Sequence, residues 1–498
     1  MNGFYTSTAT PWRGRLSTLA LVLALLGSTP GEAVELRLEE DRIWLTAEEA
    51  PLRDILTELA QAGVQVKMDP AIDTRITAHA QNEDVEQVLG TLLENLGYVL
   101  YWQVIDGPLG ILHRLSEIQV FRPEARQEVR PLESDVNRFK VQRLPDGSEY
   151  VADEILIGFA PDANSDDIRL LIRRLGGTVV QSLPELGIYR IQFRPGTSIP
   201  ALMEQLRNNA LVAAVEPNYA YRLPAPTATR SSTPFSPAQI GAPREGTAPI
   251  AILDSGLTRT ADLEPFIAGG FNAINPAASP DDTAGHGTQM AYIASGAVAP
   301  GGAAQSDDSI PVLGIRTFDE NGVTSNFAVM RSISHAVEAG ARVVNMSWGT
   351  PTESSFLDRA AAHAAQSGLL LVAAAGNEPL NELIYPAAYD HVIAVSAALP
   401  DGAPWPQSNY GDFVDLAAPG TADLPIGYRG DPGNYAGTSI ASAYTTHALG
   451  RYFEQNPHAT ANQAIEALIH AVRADRTDRD PHLGHGLLDQ DALQRLLK

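Results

Sequence analysis

The chain contains no cysteine, which excludes disulfides, thiolate zinc sites and a thiol nucleophile. This absence leaves the compartment open, because exported proteins also lack cysteine. Positive charge is scarce too: 35 Lys and Arg stand against 59 Asp and Glu, a formal net charge of -24. That balance argues against nucleic acid or an anionic membrane surface as a partner. Long apolar runs are also missing. The stretch Leu16 to Leu26 falls short of the ~20 residues that a membrane-spanning helix needs. It follows Arg13 and Arg15 and precedes Gly31-Glu32-Ala33, so residues 1–33 read as a secretory signal peptide and the product as periplasmic or secreted. Metal-ligand spacing is lacking as well: His335, His363, His391 and His447 read as structural or surface residues. With 498 residues the chain exceeds a single hydrophobic core, so several domains are expected.

What is present points to acyl-transfer chemistry. Gly437-Thr438-Ser439-Ile440-Ala441 is a small-residue turn leading into an apolar, helix-compatible stretch. A serine placed there projects from glycine-permitted backbone at a helix N-terminus, whose N–H groups favour developing negative charge. Alone, such a run is an ordinary helix cap. A base and a carboxylate lie upstream. Pro249 to Leu253 reads as a buried parallel strand ending in Asp254-Ser255-Gly256, and Gly285-His286-Gly287-Thr288 opens another helix-like stretch. The order Asp, His, Ser is one of those known for convergent triads. Val372 to Gly376 forms a strand of small residues, followed by Asn377, an amide donor suited to an oxyanion.

Asp254-Ser255-Gly256, Gly285-His286-Gly287-Thr288, Asn345-Met346-Ser347-Trp348-Gly349, Ala374-Ala375-Gly376-Asn377, Ala418-Pro419-Gly420 and Gly437-Thr438-Ser439-Ile440-Ala441 resemble, in order, the signature blocks of the subtilisin-like serine proteases. The resemblance covers about residues 244 to 495, closing on Gly484 to Asp489. It implies Asp254, His286 and Ser439 as the triad, Asn377 as oxyanion donor, and a substrate pocket walled by Ser347, Trp348, Gly349, Ala374, Ala375 and Gly376. Ile384 stands where members with a roomy pocket carry glycine. Four departures leave every catalytic group in place: Ile440 replaces a methionine, Ala443 a proline and Gln289 a histidine, and Thr260-Ala261-Asp262-Leu263 lacks a His-Pro. Calcium is common in the family, but Asp307 and Asp308 are only loose candidates, so no metal is assigned and the chemistry requires no cofactor.

Residues 34–114 carry two helical faces, Leu52, Ile55, Leu56 and Leu59, then Val85, Val88, Leu89 and Leu92, with short strands at Val64 to Met68 and Arg75 to Ala78. Their layout resembles the short N-terminal domain of secretins and TonB-dependent receptors, which implies docking on an outer-membrane partner. Residues 115–145 read as a solvated linker. Residues 146–222 give strand, helix, strand, strand, helix, strand, the ferredoxin-like order. Their end, Val215 to Tyr219, resembles the close of a subtilisin-type propeptide, which implies a folding chaperone and intramolecular inhibitor. Residues 223–243, rich in Pro, Ala, Thr and Ser, read as an exposed processing strip. From 244 to 498, alternating strands and helices predict an α/β fold around a largely parallel sheet. The expected function is a self-processing serine endopeptidase acting on protein or peptide substrates. The alternative is a catalytically weak or inactive adaptor docked through residues 34–114.

Overall fold

The computed structural model describes residues 34–498, except 40, 63, 106–111, 133–138, 225–226, 232–240, 277, 306–307, 428–431 and 474–477. The signal-peptide reading therefore lies outside the described residues. The chain forms two compact units, one ending at Val136 and also holding Asn164–Arg169, the other made of Asn137–Ala163 and Leu170–Lys498.

The first unit runs β1 (Glu35–Glu39), β2 (Arg42–Pro51), α1 (Leu52–Gln61), β3 (Gln65–Met68), β4 (Arg75–Asp84), α2 (Val85–Leu92), β5 (Gly97–Ile105), β6 (Leu112–Phe121) and β7 (Arg130–Pro131). Its sheets are ordered β1-β2-β4 and β5-β6-β3-β7. Leu52, Ile55, Leu56 and Leu59 of α1 and Val85, Val88 and Leu89 of α2 fill one core, so the 3.6-residue periodicity reports real faces. The solvated reading from Ser116 onward needs correction. Leu115, Ile118 and Val120 are buried in β6, while Glu117 turns outward to pair with Lys67 of β3 at 2.9 Å. Charge on one face of a strand conceals the apolar face opposite.

After Val136 the chain runs β8 (Val141–Arg143), β9 (Glu149–Phe159), α3 (Ser165–Leu175, whose residues up to Arg169 are counted with the first unit), β10 (Thr178–Leu183), β11 (Ile188–Gln192), α4 (Ile199–Arg207) and β12 (Val212–Arg222). The antiparallel order β10-β11-β9-β12 is that of the ferredoxin-like motif. After β13 (Thr227–Ser231) come β14 (Ile250–Asp254), β15 (Ile267–Asn272), α5 (His286–Ala294), β16 (Val312–Arg316), β17 (Val323–Ser325), α6 (Asn326–Glu338), β18 (Val343–Met346), α7 (Ser355–Gln366), β19 (Leu370–Ala374) and β20 (Val392–Ala398). The chain closes with β21 (Leu416–Pro419), β22 (Thr421–Leu424), β23 (Gly433–Ala436), α8 (Thr438–Gln455), α9 (Ala461–Arg473) and α10 (Gln490–Leu496).

A seven-stranded sheet, β15-β16-β14-β18-β19-β20-β21, is parallel throughout. Strands covered on both faces must be apolar at every position, and β14 obeys: Ile250 and Ile252 enter the core shared with α5, α8, α9 and α10. Ala251 and Leu253 enter the opposite core, shared with α6 and α7. The sheet thus delivers Asp254 at its carboxyl edge, where the loops after β19 and before α8 also converge.

Candidate active site

Asp254, the last residue of β14, is fully buried and faces the imidazole of His286. Its two carboxylate oxygens lie 2.8 and 2.9 Å from His286 Nδ1. Asp254 Oδ1 also accepts from the Ser255 N–H at 2.7 Å, which orients the carboxylate toward the imidazole. Burial disfavours a charged His286 ring. The charge and hydrogen bond of Asp254, with a smaller contribution from Asp282, outweigh this and hold its pKa above the ordinary 6.5.

Two glycines make this approach possible. Gly285 has φ 88°, a left-handed conformation that glycine adopts without Cβ strain. At Gly287 a Cβ would collide with the Gly256 carbonyl, so α5 can lie directly on the Asp254 turn only with glycine there. The same helix start is held by Asp282, which the sequence reading missed. Its Oδ1 accepts from Ala284 and Gly285, and its Oδ2 from the N–H and hydroxyl of Thr288. The available signal was only an Asp a few residues ahead of the helix and before its N-cap, Gly285.

Ser439 is the second residue of α8 and is 6% exposed. It shares one small cavity with His286, Asn377, Gly437 and Ile440. Its Oγ donates to the Ser347 carbonyl at 3.1 Å, and Ser347 Oγ donates back to the Ser439 carbonyl at 3.1 Å. Asn377 Oδ1 accepts from both the N–H and the hydroxyl of Thr438, at 2.9 and 2.8 Å. With the carbonyl end so committed, the Nδ2 end, which faces Gly437, remains as a donor.

The sequence-predicted pocket residues fall at two neighbouring strand ends. Ser347, Trp348 and Gly349 follow β18, and Ala374 ends β19 with Ala375 and Gly376 directly after it. Ile384 lies across the gap between them: a Cβ on Gly349 would collide with its Cγ2. Trp348 is buried, stacked on Tyr221 at 5.5 Å between ring centroids and edge-on to Phe318 at 5.8 Å. Such aromatic pairs contribute about 0.5–1.5 kcal/mol each beyond burial.

Of the segment expected to be an exposed strip, residues 223–224 and 227–231 instead line this cleft, residues 225–226 and 232–240 lie outside the described residues, and Gly241 and Ala242 are exposed as expected. Ala220, Tyr221 and Arg222 of β12 pair antiparallel with Ser325, Thr324 and Val323 of β17, and the Leu223 N–H donates to Gly322. Beyond Pro224, Thr227 and Ala228 of β13 pair antiparallel with Ala436 and Tyr435 of β23, just ahead of Ser439. Backbone pairing needs no apolar side chains, so composition gave no sign of it. Two further side chains fasten the ferredoxin-like domain to helix ends. Glu216 accepts from the Ser355 N–H at 2.7 Å and from the Ser354 and Ser355 hydroxyls at the start of α7. Asn218 accepts from the Phe327 N–H of α6 at 3.0 Å. Both satisfy N–H groups that a helix leaves open.

Among the described residues no group of three or more acidic or histidine side chains is arranged to hold a metal. Asp308 is committed to Arg451 at 2.7 Å and Arg244 at 3.6 Å, and Asp307 lies outside the described residues. His447 is buried, its Nδ1 3.0 Å from the Ala294 carbonyl, and burial lowers its pKa to about 4. Of the residues departing from the family pattern, Gln289 donates to the Ile426 carbonyl at 2.9 Å, and Ile440 and Ala443 are buried in α8.

Residues 246–486 match the family model described as the subtilase family, and residues 139–218 match that of the fervidolysin N-terminal prodomain. A thermophilic serine proteinase of Bacillus sp. (strain AK1) is 29% identical over 310 residues, 59% of this chain and 76% of that protein. Thermitase of Thermoactinomyces vulgaris is 32% identical over 238 residues, 46% of this chain and 85% of that protein. The crystal structure of fervidolysin from Fervidobacterium pennivorans, a keratinolytic enzyme related to subtilisin, superposes with a TM-score of 0.57 at 21% identity. It matches 72% of this chain and 63% of that one. The chain therefore belongs to the subtilase family of serine peptidases and carries a fervidolysin-type prodomain ahead of its peptidase fold.

Proposed function

We propose that this peptidase is exported as a zymogen and cuts its own chain between Leu223 and Thr227. In this reading Ser439 Oγ attacks the scissile carbonyl while His286 Nε2 takes its proton and later returns it to the leaving amine. Asp254 holds the imidazole in the tautomer with Nδ1–H and stabilises the imidazolium. Asn377 Nδ2 and the Ser439 N–H donate to the oxyanion. Water then releases the acyl-enzyme.

The observation that carries the proposal is the backbone pairing of one continuous segment on both sides of Ser439, with β17 before it and β23 after it. This is how a substrate strand would lie. The hydroxyl of Ser439, now donating to Ser347, needs only a rotation about χ1 to leave that bond, one staggered well to another. That bond is also the observation on which the weak-adaptor alternative would have to rest. Labelling by a serine-directed fluorophosphonate separates the two: wild type takes the label and Ser439→Ala does not.

Residues 34–114 serve, in the same reading, as a docking module for an outer-membrane partner. Its support is the resemblance of their helix and strand layout to the secretin and TonB-receptor N-terminal domain, together with a core that they share with Leu115, Ile118 and Val120 of β6. Deleting residues 34–136 should abolish association with cell envelopes while fluorophosphonate labelling persists. Among the described residues no helix is long and apolar enough to cross a membrane.

A further inference from the structure

Asp254 and His286 stand on different elements, and one short segment, Pro280 to Asp282, touches both. On the Asp254 side, the Pro280 carbonyl accepts from the Leu257 N–H at 3.0 Å, in the turn that follows β14. A Cβ on Gly256 of that turn would collide with the Pro280 and Asp281 carbonyls, so the segment lies directly on it. From β16, Arg316 Nη1 donates to the Asp281 carbonyl at 3.4 Å. On the His286 side, Asp282 Oδ1 accepts from the Ala284 and Gly285 N–H groups at 3.0 and 2.7 Å. Its Oδ2 accepts from the Thr288 N–H and hydroxyl at 2.8 and 2.6 Å. Thr288 Oγ1 then accepts from the Thr258 N–H at 3.0 Å, back in the turn after Asp254. One carboxylate and one hydroxyl thus tie the two halves of the dyad together.

We propose that Asp282 is a positioning residue for catalysis: through Thr288 it sets His286 against Asp254, and its charge favours the imidazolium formed when the base takes the Ser439 proton. The proposal rests on the reading of His286 as that base. Asp282 acts from behind the ring, for the cavity shared by His286 and Ser439 is lined by other residues. Among the described residues few charges bear on the imidazole. Asp254 faces it from β14 and Asp282 from its own loop, while Gln289, Met290, Asn377, Tyr435, Ser439 and Ile440, which share its cavity, are uncharged at neutral pH. Arg316, opposite Asp254 in the sheet, is directed to the Phe318 and Asp281 carbonyls. Burial opposes a charged ring, and both carboxylates support it. Asp282 is partly exposed, so solvent screens its share, which is the smaller.

The test is the pH dependence of kcat and kcat/KM on a chromogenic peptide for wild type, Asp282→Asn, Thr288→Val and Thr288→Ser. Asp282→Asn removes the charge at nearly constant shape. Its kcat should fall about 10- to 100-fold with KM little changed, as a slightly misplaced base requires. The midpoint of its acidic limb should move down by about 0.5 to 1 unit, because a lost anion weakens the charged ring. Thr288→Val breaks the link and leaves the charge, so kcat should fall while the limb stays where wild type has it, and Thr288→Ser should restore kcat. A role in stability alone would move neither the limb nor the serine rescue. An Asp282→Asn limb that coincides with wild type, or a loss confined to KM, would overturn the proposal while leaving His286 as the base. Should Asp282→Asn be recovered unfolded, Thr288 decides: a Thr288→Val enzyme as active as wild type overturns the positioning role. A wild-type profile with no acidic limb would instead sink the reading of His286, and this proposal with it.

Discussion

Asn377 Oδ1 accepts two hydrogen bonds from Thr438, one from its N–H and one from its hydroxyl, so the residue beside the nucleophile orients the amide that faces the cleft. Asn377→Ala should therefore lower kcat by about 10² to 10³, or about 2.7–4 kcal/mol, with little change in KM, because the donor acts on charge present only in the transition state. Thr438→Val keeps the N–H bond and loses the hydroxyl bond to Asn377 together with the one the hydroxyl accepts from the Gly376 N–H, each worth about 0.5–1.5 kcal/mol, so kcat should fall by at least about 2- to 10-fold. Steady-state kinetics on both variants checks this. A loss confined to KM would make Asn377 a substrate-binding residue.

Acid should switch the enzyme off through His286. The imidazole must be neutral to accept the Ser439 proton, and Asp254 holds its pKa above the ordinary value near 6.5 despite burial. Raising the pKa of a base moves its protonation to higher pH, so the acidic limb of kcat/KM should have its midpoint above 6.5. Asp254→Asn should lower kcat by about 10⁴. A wild-type limb centred below 6 would contradict the assignment.

Small residues such as Ala should be preferred over Phe or Tyr immediately before the scissile bond. Ile384 fills the space over Gly349 between the two pocket strands, and forcing atoms into packed volume costs about 1–3 kcal/mol. A peptide library varied at that position, run on wild type and Ile384→Gly, reads the effect. If wild type already favours Phe, or the variant gains nothing for large residues, Ile384 does not wall the pocket.

Glu216 should govern how long the severed prodomain stays bound. Its carboxylate accepts from one N–H and two hydroxyls at the start of α7, and hydrogen bonds to charged groups are worth about 1.5–3 kcal/mol. Glu216→Ala should shorten the lag between cleavage and appearance of activity by about 10-fold or more. An unchanged lag would place the hold elsewhere, for instance in the stack of Tyr221 on Trp348.

Much of this arrangement was legible in the sequence, for identifiable reasons. Ile250 to Leu253 announces a buried strand because both faces must be apolar, and the small residues around His286 and Ser439 announce tight turns. The ferredoxin-like order was readable because its strands and helices alternate cleanly. Three features were not. Asp282 works through N–H groups that converge only once the backbone has turned. β6 is masked by Glu117, which pairs outward with Lys67. Thr227 to Ser231 join a sheet by main-chain pairing, and such pairing leaves no hydrophobic pattern to read.

The self-cleavage claim is tested most directly by intact-mass and N-terminal analysis of purified wild type and Ser439→Ala from a protease-free host. Wild type should yield a new N-terminus within residues 224–227 and retain the severed prodomain noncovalently, while Ser439→Ala stays one chain. An active wild type with no cut there, or Ser439→Ala cut at the same bond, would contradict the account.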